Sequence, residues 1–240
     1  MKDFWNNWKN KTEIEERAIV ALKKARQIIL KNVPLEELIA IYVKGSFVRR
    51  ELNEKSDIDT VTILKTNKYR KKIEELDKEY KSKEIPRLEF SSFSLWELEN
   101  NKHFYTDSKL RASPDRFVIR ISCYKLIYGK QLDTSKFKVR NSEESLKDLK
   151  NAFYKSFIPL YNQKKFDFQE IIKQVFWLIE LEEQRKGKKC KNSWKELDNS
   201  IKDKNHLVHE SYRLRLNPPK DQNIKEDYIK QLTTYLEELK

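Results

Sequence analysis

The stretch that most constrains this chain is residues 38–64, LIAIYVKGSFVRRELNEKSDIDTVTIL, in which two apolar runs flank a glycine-serine pair and a charged connector. The first run is rich in β-branched residues and predicts a buried strand. The second run begins at Asp57-Ile58-Asp59 and predicts another strand. Because side chains alternate along a strand, Asp57 and Asp59 are expected on one face and Ile58 on the other, in the core.

This arrangement favours the binding of a metal ion and of phosphate. Two carboxylates held side by side repel each other unless a cation lies between them, and hard oxygen ligands suit Mg²⁺ or Mn²⁺. Gly45 allows the backbone to turn tightly and to approach a ligand. Its N–H, together with the N–H and hydroxyl of Ser46, is suited to hold phosphate oxygens.

Gly45-Ser46, followed after ten residues by Asp57-x-Asp59, resembles the active-site signature of the DNA polymerase beta-like nucleotidyltransferase superfamily. Three further positions match the pattern GSxxRGExxxxSDID that is common in minimal and antibiotic-type members: Arg49, Glu51 and Ser56. Arg50 departs from this pattern because it stands where a small glycine is usual. The departure leaves the path of the connector open.

The resemblance implies a metal-dependent enzyme that moves an NMP from an NTP, such as ATP, to a hydroxyl acceptor and releases pyrophosphate. Asp57 and Asp59 would hold two Mg²⁺ or Mn²⁺ ions. Glu89 is the single acid of a strand predicted at 87–94, and it would complete the catalytic set as the third acid. The implied nucleotide-binding residues surround the glycine-serine pair and end the connector: Lys44, Gly45, Ser46, Arg49 and Ser56.

The whole chain predicts an α+β fold, with a small mixed sheet and flanking helices followed by an all-α helical bundle. The expected parts are a nucleotidyltransferase catalytic domain at 1–105, a basic segment at 106–141 that closes it, and an acceptor-binding C-terminal bundle at 142–240. Helical periodicity and caps predict helices at 12–31, 69–81, 95–101, 143–163, 168–186, 193–203, 205–216 and 223–239. Residues 116–128 are compatible with either helix or strand.

The charge of the chain indicates the class of its partners. The formal net charge is +13, which favours RNA, DNA or nucleotide phosphates. A lysine-rich proteome accounts for the same charge equally well. Residues 102–140 contain ten Lys or Arg against three Asp, a net of +7. This segment is expected either to grip a triphosphate or an RNA backbone, or to be a solvated basic surface.

Several acceptors remain open. RNA, such as a tRNA 3′ end, or a protein side chain, as in toxin–antitoxin systems, is favoured by the charge. An aminoglycoside-type antibiotic is the alternative, and it would find acids at Glu180, Glu182 and Glu183. A third reading rests on Lys204 to Tyr212, which resembles the RNxxxHxY signature of HEPN ribonucleases, with lysine for arginine and the tyrosine one position late. That reading is a non-catalytic, RNA-binding or RNA-cleaving component.

The remaining composition indicates an intracellular, cytoplasmic protein. Cys123 and Cys190 match no zinc or redox spacing and fit small core residues in a reducing compartment. No apolar run approaches the roughly 20 residues that cross a bilayer, so no membrane partner is expected.

Overall fold

The computed structural model of this chain describes residues 3–54, 56–80, 86–105, 113–189 and 193–239. The chain divides into two compact units, Met1–Val139 and Arg140–Lys240. Three sequence predictions fall partly outside the described residues: Cys190, positions 106–112 of the basic segment, and the end of the helix predicted to reach Lys81.

The first unit alternates helices and strands, which confirms the predicted α+β class. Its helices and strands are α1 (Glu13–Asn32), β1 (Leu38–Lys44), α2 (Ser46–Arg49), β2 (Asp57–Leu64), α3 (Arg70–Tyr80), β3 (Arg87–Ser94), α4 (Leu95–Asn100), α5 (Pro114–Arg120) and β4 (Lys125–Gly129). Single 3₁₀ turns lie at Phe4–Asn7, Ile121–Cys123 and Thr134–Lys136. The stretch 116–128 therefore contains both helix and strand, joined by the second of these turns.

The four strands form one mixed sheet in the order β3-β2-β1-β4. β1 is antiparallel to both β2 and β4, whereas β2 and β3 are parallel. The register pairs Lys44 of β1 with Asp59 of β2, and Asp59 with Glu89 of β3. Directly opposed residues share a face of a sheet. Lys44, Asp59 and Glu89 thus form one row across three strands.

Each face of the sheet packs against its own apolar core. Ile58 lies in the first core with residues of α1 and α3. Val61 and Phe117 lie in the second core, on the opposite face. Since side chains alternate along β2, Asp57 and Asp59 share the second face with Val61. The predicted orientation of Ile58 into the core is confirmed.

A local sequence signal fixes the start of α1, whereas α2 ends at a left-handed turn that its residue does not favour. Thr12 and Glu15 form the predicted capping box, each side chain accepting a hydrogen bond from the backbone N–H of the other. At the end of α2, Arg50 has φ +58°, in the left-handed region. This conformation costs a non-glycine residue about 1–2 kcal/mol. The connector therefore makes the turn typical of glycine although an arginine occupies it.

The second unit is a set of helices, as predicted: α6 (Ser142–Ala152), α7 (Ile158–Asn162), α8 (Phe168–Arg185), α9 (Trp194–Ser200), α10 (Leu207–Leu216) and α11 (Gln222–Glu238). The prediction of one helix over 143–163 is wrong in detail, because a π-helical turn at Phe153–Phe157 separates α6 from α7. Pro159 explains the interruption, since it has no N–H for the regular i to i−4 bond. None of the helices in the described ranges is long and apolar enough to cross a membrane.

A buried ion pair connects α3 to the segment that follows β3. The side chains of Arg70 and Glu97 are 2% and 0% exposed, and the Arg70 Nε lies 2.7 Å from Glu97 Oε2. Arg70 also donates to the Ser92 hydroxyl at 2.6 Å. Burial alone would raise the pKa of Glu97, but hydrogen bonds from His103 and from the Phe104 backbone, together with the Arg70 charge, lower it to about 2.

Arg70→Met is expected to destabilise the fold by about 3–5 kcal/mol at pH 7, because it leaves the Glu97 carboxylate buried without its ionic partner. The measurement is urea unfolding. The folded pKa of Glu97 lies below its unfolded value near 4.5. The contribution of Glu97 is therefore full above pH 4.5 and is lost as the pH falls towards 2, so the difference between variant and wild type narrows there.

The matched control is Lys230→Met, which breaks an exposed pair with Asp227. It is expected to change the free energy of unfolding by less than about 1 kcal/mol. Equal losses in Arg70→Met and Lys230→Met would contradict the assignment of a buried, stabilising network.

Candidate active site

The candidate site lies at the edge of the sheet where β1 ends and where β2 and β3 begin. The parallel register places Glu89 directly beside Asp59, and it places Arg87 beside Asp57, the first residue of β2. Three residues singled out in the sequence, Asp57, Asp59 and Glu89, are therefore on neighbouring positions of two hydrogen-bonded strands and on the same face. The pairing of these two strands is a tertiary feature that the sequence alone does not specify.

The glycine-serine bend lies against the carboxylate of Asp59. Gly45 has φ +80°, and a Cβ built on it would lie 2.6 Å from Asp59 Oδ2. Any other residue at this position would combine a strained backbone with a clash against the carboxylate. The bend and the acid are in contact only because Gly45 has no side chain.

Lys44 is the cation that Asp59 holds in this structure. Its Nζ lies 3.0 Å from Asp59 Oδ1, and both side chains are partly buried. Burial alone would lower the pKa of Lys44, but the charges of Asp59, Tyr124 and Glu89 and the Asp59 hydrogen bond raise it to about 12. Lys44 is consequently charged at neutral pH and offsets the acids of the site.

The other predicted nucleotide-binding residues shape the connector. Ser46 begins α2, and its carbonyl accepts the N–H of Glu51 at 2.9 Å. Arg49 donates from Nε to Glu51 Oε2 at 2.7 Å. The Ser56 hydroxyl accepts the N–H of Asn53 at 2.9 Å and closes a turn just before β2. The signature residues between bend and acids thus hold one another in place.

Two residues near the acids were not identified as site residues from the sequence. Arg87 is exposed and opposes Asp57, so it adds a positive charge on the face of the acids. Tyr124 lies close enough to Lys44 to influence its pKa. No sequence signal distinguishes these two from the many other basic and aromatic residues of the chain. Their position becomes visible only when the strand pairing is known.

The donors of the site suit a hard divalent cation. Asp57, Asp59 and Glu89 supply carboxylate oxygens, and the space kept open by Gly45 borders Asp59 Oδ2. Within the ranges that the structure describes, no group of three or more His, Cys, Asp and Glu side chains is arranged to hold a metal ion. Lys44 already occupies one oxygen of Asp59, and this cation would have to move before a metal could use that oxygen.

The HEPN-like segment serves the packing of its own unit. His209 Nδ1 lies 2.7 Å from Asp198 Oδ1, and its Nε2 lies 2.9 Å from the Asp203 carbonyl. His206 caps α10 by accepting the N–H of Val208. The two histidines therefore have separate partners, and His209 uses both ring nitrogens within the bundle.

The acids that an antibiotic would need are on α8. Glu180, Glu182 and Glu183 are all buried. Lys186 lies 2.7 Å from Glu182 and 3.1 Å from Glu183, and Lys188 pairs with Glu183. Burial alone would raise the pKa of Glu182, but hydrogen bonds from neighbours that include Lys186 lower it to about 2. Glu182 and Glu183 are thus ionised and balanced by nearby lysines.

Comparison with known proteins places this geometry in a family context. Residues 22–123 match the family model described as a nucleotidyltransferase domain. Among solved structures, the chain is similar to spectinomycin adenyltransferase AAD(9) from Enterococcus faecialis, solved with ATP and spectinomycin. The TM-score is 0.59 and the identity 14%, over 92% of this chain and 99% of that chain. At this identity the similarity concerns the fold. No curated protein matches significantly by sequence.

Lys44→Met is expected to tighten the binding of Mn²⁺ to the nucleotide-free protein, because it removes a competing positive charge from Asp59. A Kd lower by about threefold or more is expected from the loss of one close charge. Electron paramagnetic resonance of free Mn²⁺ measures this directly. Lys65→Met, which removes an exposed lysine just beyond the far end of β2, is the control and should leave the Kd unchanged. Unchanged or weaker binding in Lys44→Met would contradict the prediction.

Proposed function

Because residues 22–123 match the nucleotidyltransferase domain family, we propose that the chain transfers an NMP from an NTP to a hydroxyl acceptor with a divalent metal. The observation that carries the proposal is the row formed by Asp59 and Glu89 beside the Gly45 bend. This row combines metal-type ligands with a backbone that can approach phosphates.

In the proposed site, Asp57, Asp59 and Glu89 would hold two Mg²⁺ or Mn²⁺ ions. The chemistry supplied by such ions would be neutralisation of phosphate charge and a more acidic acceptor hydroxyl. The chain supplies the geometry, because the acids are fixed on paired strands rather than on a loop. Such positioning and electrostatics account for most of the catalysis in phosphoryl-type transfers.

The triphosphate is proposed to lie on the glycine-serine bend. The N–H groups of Gly45 and Ser46 donate to phosphate oxygens, and the Ser46 hydroxyl adds a further donor. Lys44 leaves Asp59 and pairs with a phosphate when the nucleotide binds. Arg49 contributes positive charge from the end of α2, and Ser56 is the remaining candidate contact, at the end of the connector.

The reaction conserves atoms and charge without a covalent enzyme intermediate. The acceptor oxygen attacks the α-phosphorus, the bond from that phosphorus to the bridging oxygen breaks, and pyrophosphate leaves. Glu89 is proposed to take the proton of the acceptor hydroxyl, since it lies beside Asp59 at the edge of the site.

The first acceptor class is RNA or protein, in keeping with the net charge of +13. A small cationic aminoglycoside-type acceptor is the second candidate. It is supported by Glu182 and Glu183, two buried and ionised acids whose ammonium partners Lys186 and Lys188 are about half exposed. RNA cleavage has little support, because both ring nitrogens of His209 are engaged within the bundle.

Replacing both Asp57 and Asp59 by Asn is expected to reduce nucleotidyl transfer by at least about a thousandfold, because the oxygen ligands of the metal lose their charge. The assay follows label from α-³²P-NTPs in Mg²⁺ into added acceptors. Glu36→Gln, an exposed acid before the start of β1, is the control and should retain activity. Transfer that survives the double substitution would refute the site.

The same assay separates the acceptors when total RNA, the protein itself and spectinomycin are offered in parallel. We expect label on RNA or protein. If spectinomycin is labelled instead, the acceptor is of the second class and not the first. In that case Glu183→Gln should lower the rate of labelling by about tenfold or more, because the cationic acceptor loses one charge partner.

A further inference from the structure

The short helix α2, which follows the Gly45 bend, is held from behind by the N-terminal segment of the chain. Phe47, in the middle of α2, is fully buried. Three aromatic rings surround it, with centroids 5.9 Å away for Phe4, 6.1 Å for Trp5 and 5.1 Å for Trp8. These distances are those of aromatic packing. The orientation of α2 therefore depends on residues 4–8.

Arg50, the residue that ends α2, makes a second connection to the same segment. Its guanidinium binds Glu15 through two hydrogen bonds of 2.6 and 2.9 Å. It also donates to the carbonyls of Lys9 and Asn10 at 3.2 and 3.3 Å. The guanidinium carbon lies 5.0 Å from the centroid of the Trp8 ring. One side chain thus joins α2 to α1 and to the segment before it.

The partner of Arg50 is itself fixed. The Glu15 side chain is 6% exposed and accepts the N–H of Thr12 in the capping box at the start of α1. Hydrogen bonds from Arg50 and Thr12 lower the pKa of Glu15 to about 2 in spite of its burial. The anchor is ionised at neutral pH, and it belongs to a long helix of the catalytic core.

The backbone conformation of Arg50 indicates that these contacts have a functional role. Its left-handed conformation is one that glycine adopts without strain and arginine does not. Residues in strained backbone conformations persist where surrounding contacts hold them, and they cluster at functional sites. The strained residue is five positions from Gly45, at the other end of α2.

We propose that Arg50 is a positioning residue: with Glu15 and residues 4–10 it clamps α2 and so sets the Gly45-Ser46 bend for the triphosphate. This inference rests on the proposed nucleotidyl transfer. Arg50 acts through α2 and, among the residues that the structure describes, its contacts include none of Asp57, Asp59 and Glu89. Its role is to keep the backbone donors of the bend ordered before the nucleotide arrives, which lowers the entropy that binding must overcome.

The test compares Arg50→Gly, Arg50→Lys and Arg17→Gln in full-length protein. Arg50→Gly allows the left-handed turn without strain and removes the contacts that the guanidinium makes. It is expected to raise the KM for the NTP by about tenfold with kcat changed less than about twofold, since binding rather than chemistry is affected. Arg50→Lys should lie between wild type and Arg50→Gly, because an ammonium cannot replace the two-pronged guanidinium.

Arg17→Gln is the matched control. Arg17 also joins α1 to the connector, through Glu54 at 2.8 Å, but it does not contact α2 in the described contacts. It should leave KM and kcat unchanged. Glu15→Gln should raise KM like Arg50→Gly, and the double variant should be little worse than either single one, because both changes break one interaction.

Amide hydrogen exchange provides a readout that does not depend on activity. In Arg50→Gly, exchange in residues 45–50 and 4–10 should be about tenfold faster or more, with β1 and β2 unchanged, since only the clamped segments open locally. If exchange is faster in Arg50→Gly but the wild-type protein transfers no NMP, the proposed function is refuted while the role of Arg50 in holding α2 still stands. An unchanged KM in an active Arg50→Gly enzyme, or unchanged exchange, would overturn the clamp.

Discussion

The absence of a side chain at Gly45 is the constraint on which the rest of the site depends. A Cβ at this position would lie 2.6 Å from Asp59 Oδ2, so the bend and the carboxylate can be neighbours only with glycine between them. The antiparallel pairing of β1 with β2 sets up this contact, because Lys44 precedes Gly45 and opposes Asp59 in the register. The glycine-serine bend and the Asp59 carboxylate therefore lie in direct contact.

Charge pairing stabilises the interior of both units. Three acids that burial would make harder to ionise, Glu15, Glu97 and Glu182, have pKa values lowered to about 2 by hydrogen bonds and by basic partners. Each lies at a junction between helices or between a helix and the sheet. Each of these buried carboxylates needs basic or hydrogen-bonding partners, and the 38 Asp and Glu residues still leave a net charge of +13 from the 51 Lys and Arg residues of the chain.

The sequence predicted the strands of the site well because their signals are local. The strand at 87–94 agrees with β3 from Arg87 to Ser94, and the alternation of Asp57, Ile58 and Asp59 gave the correct face. The helix predicted over 143–163 was less accurate, since periodicity does not reveal a π-helical turn near Pro159. The stretch 116–128 was ambiguous because its apolar pattern continues from α5 into β4.

What the sequence determined by itself is the set of chemical parts: a glycine-serine bend, two alternating acids on one strand, and a single acid on another strand. These depend on neighbours within a few residues, where backbone periodicity decides orientation. Only the tertiary structure decided the partners of those parts. Lys44 reaches Asp59 across 15 residues and Arg50 reaches Glu15 across 35. Such pairs depend on strand register and helix packing, which no local pattern encodes.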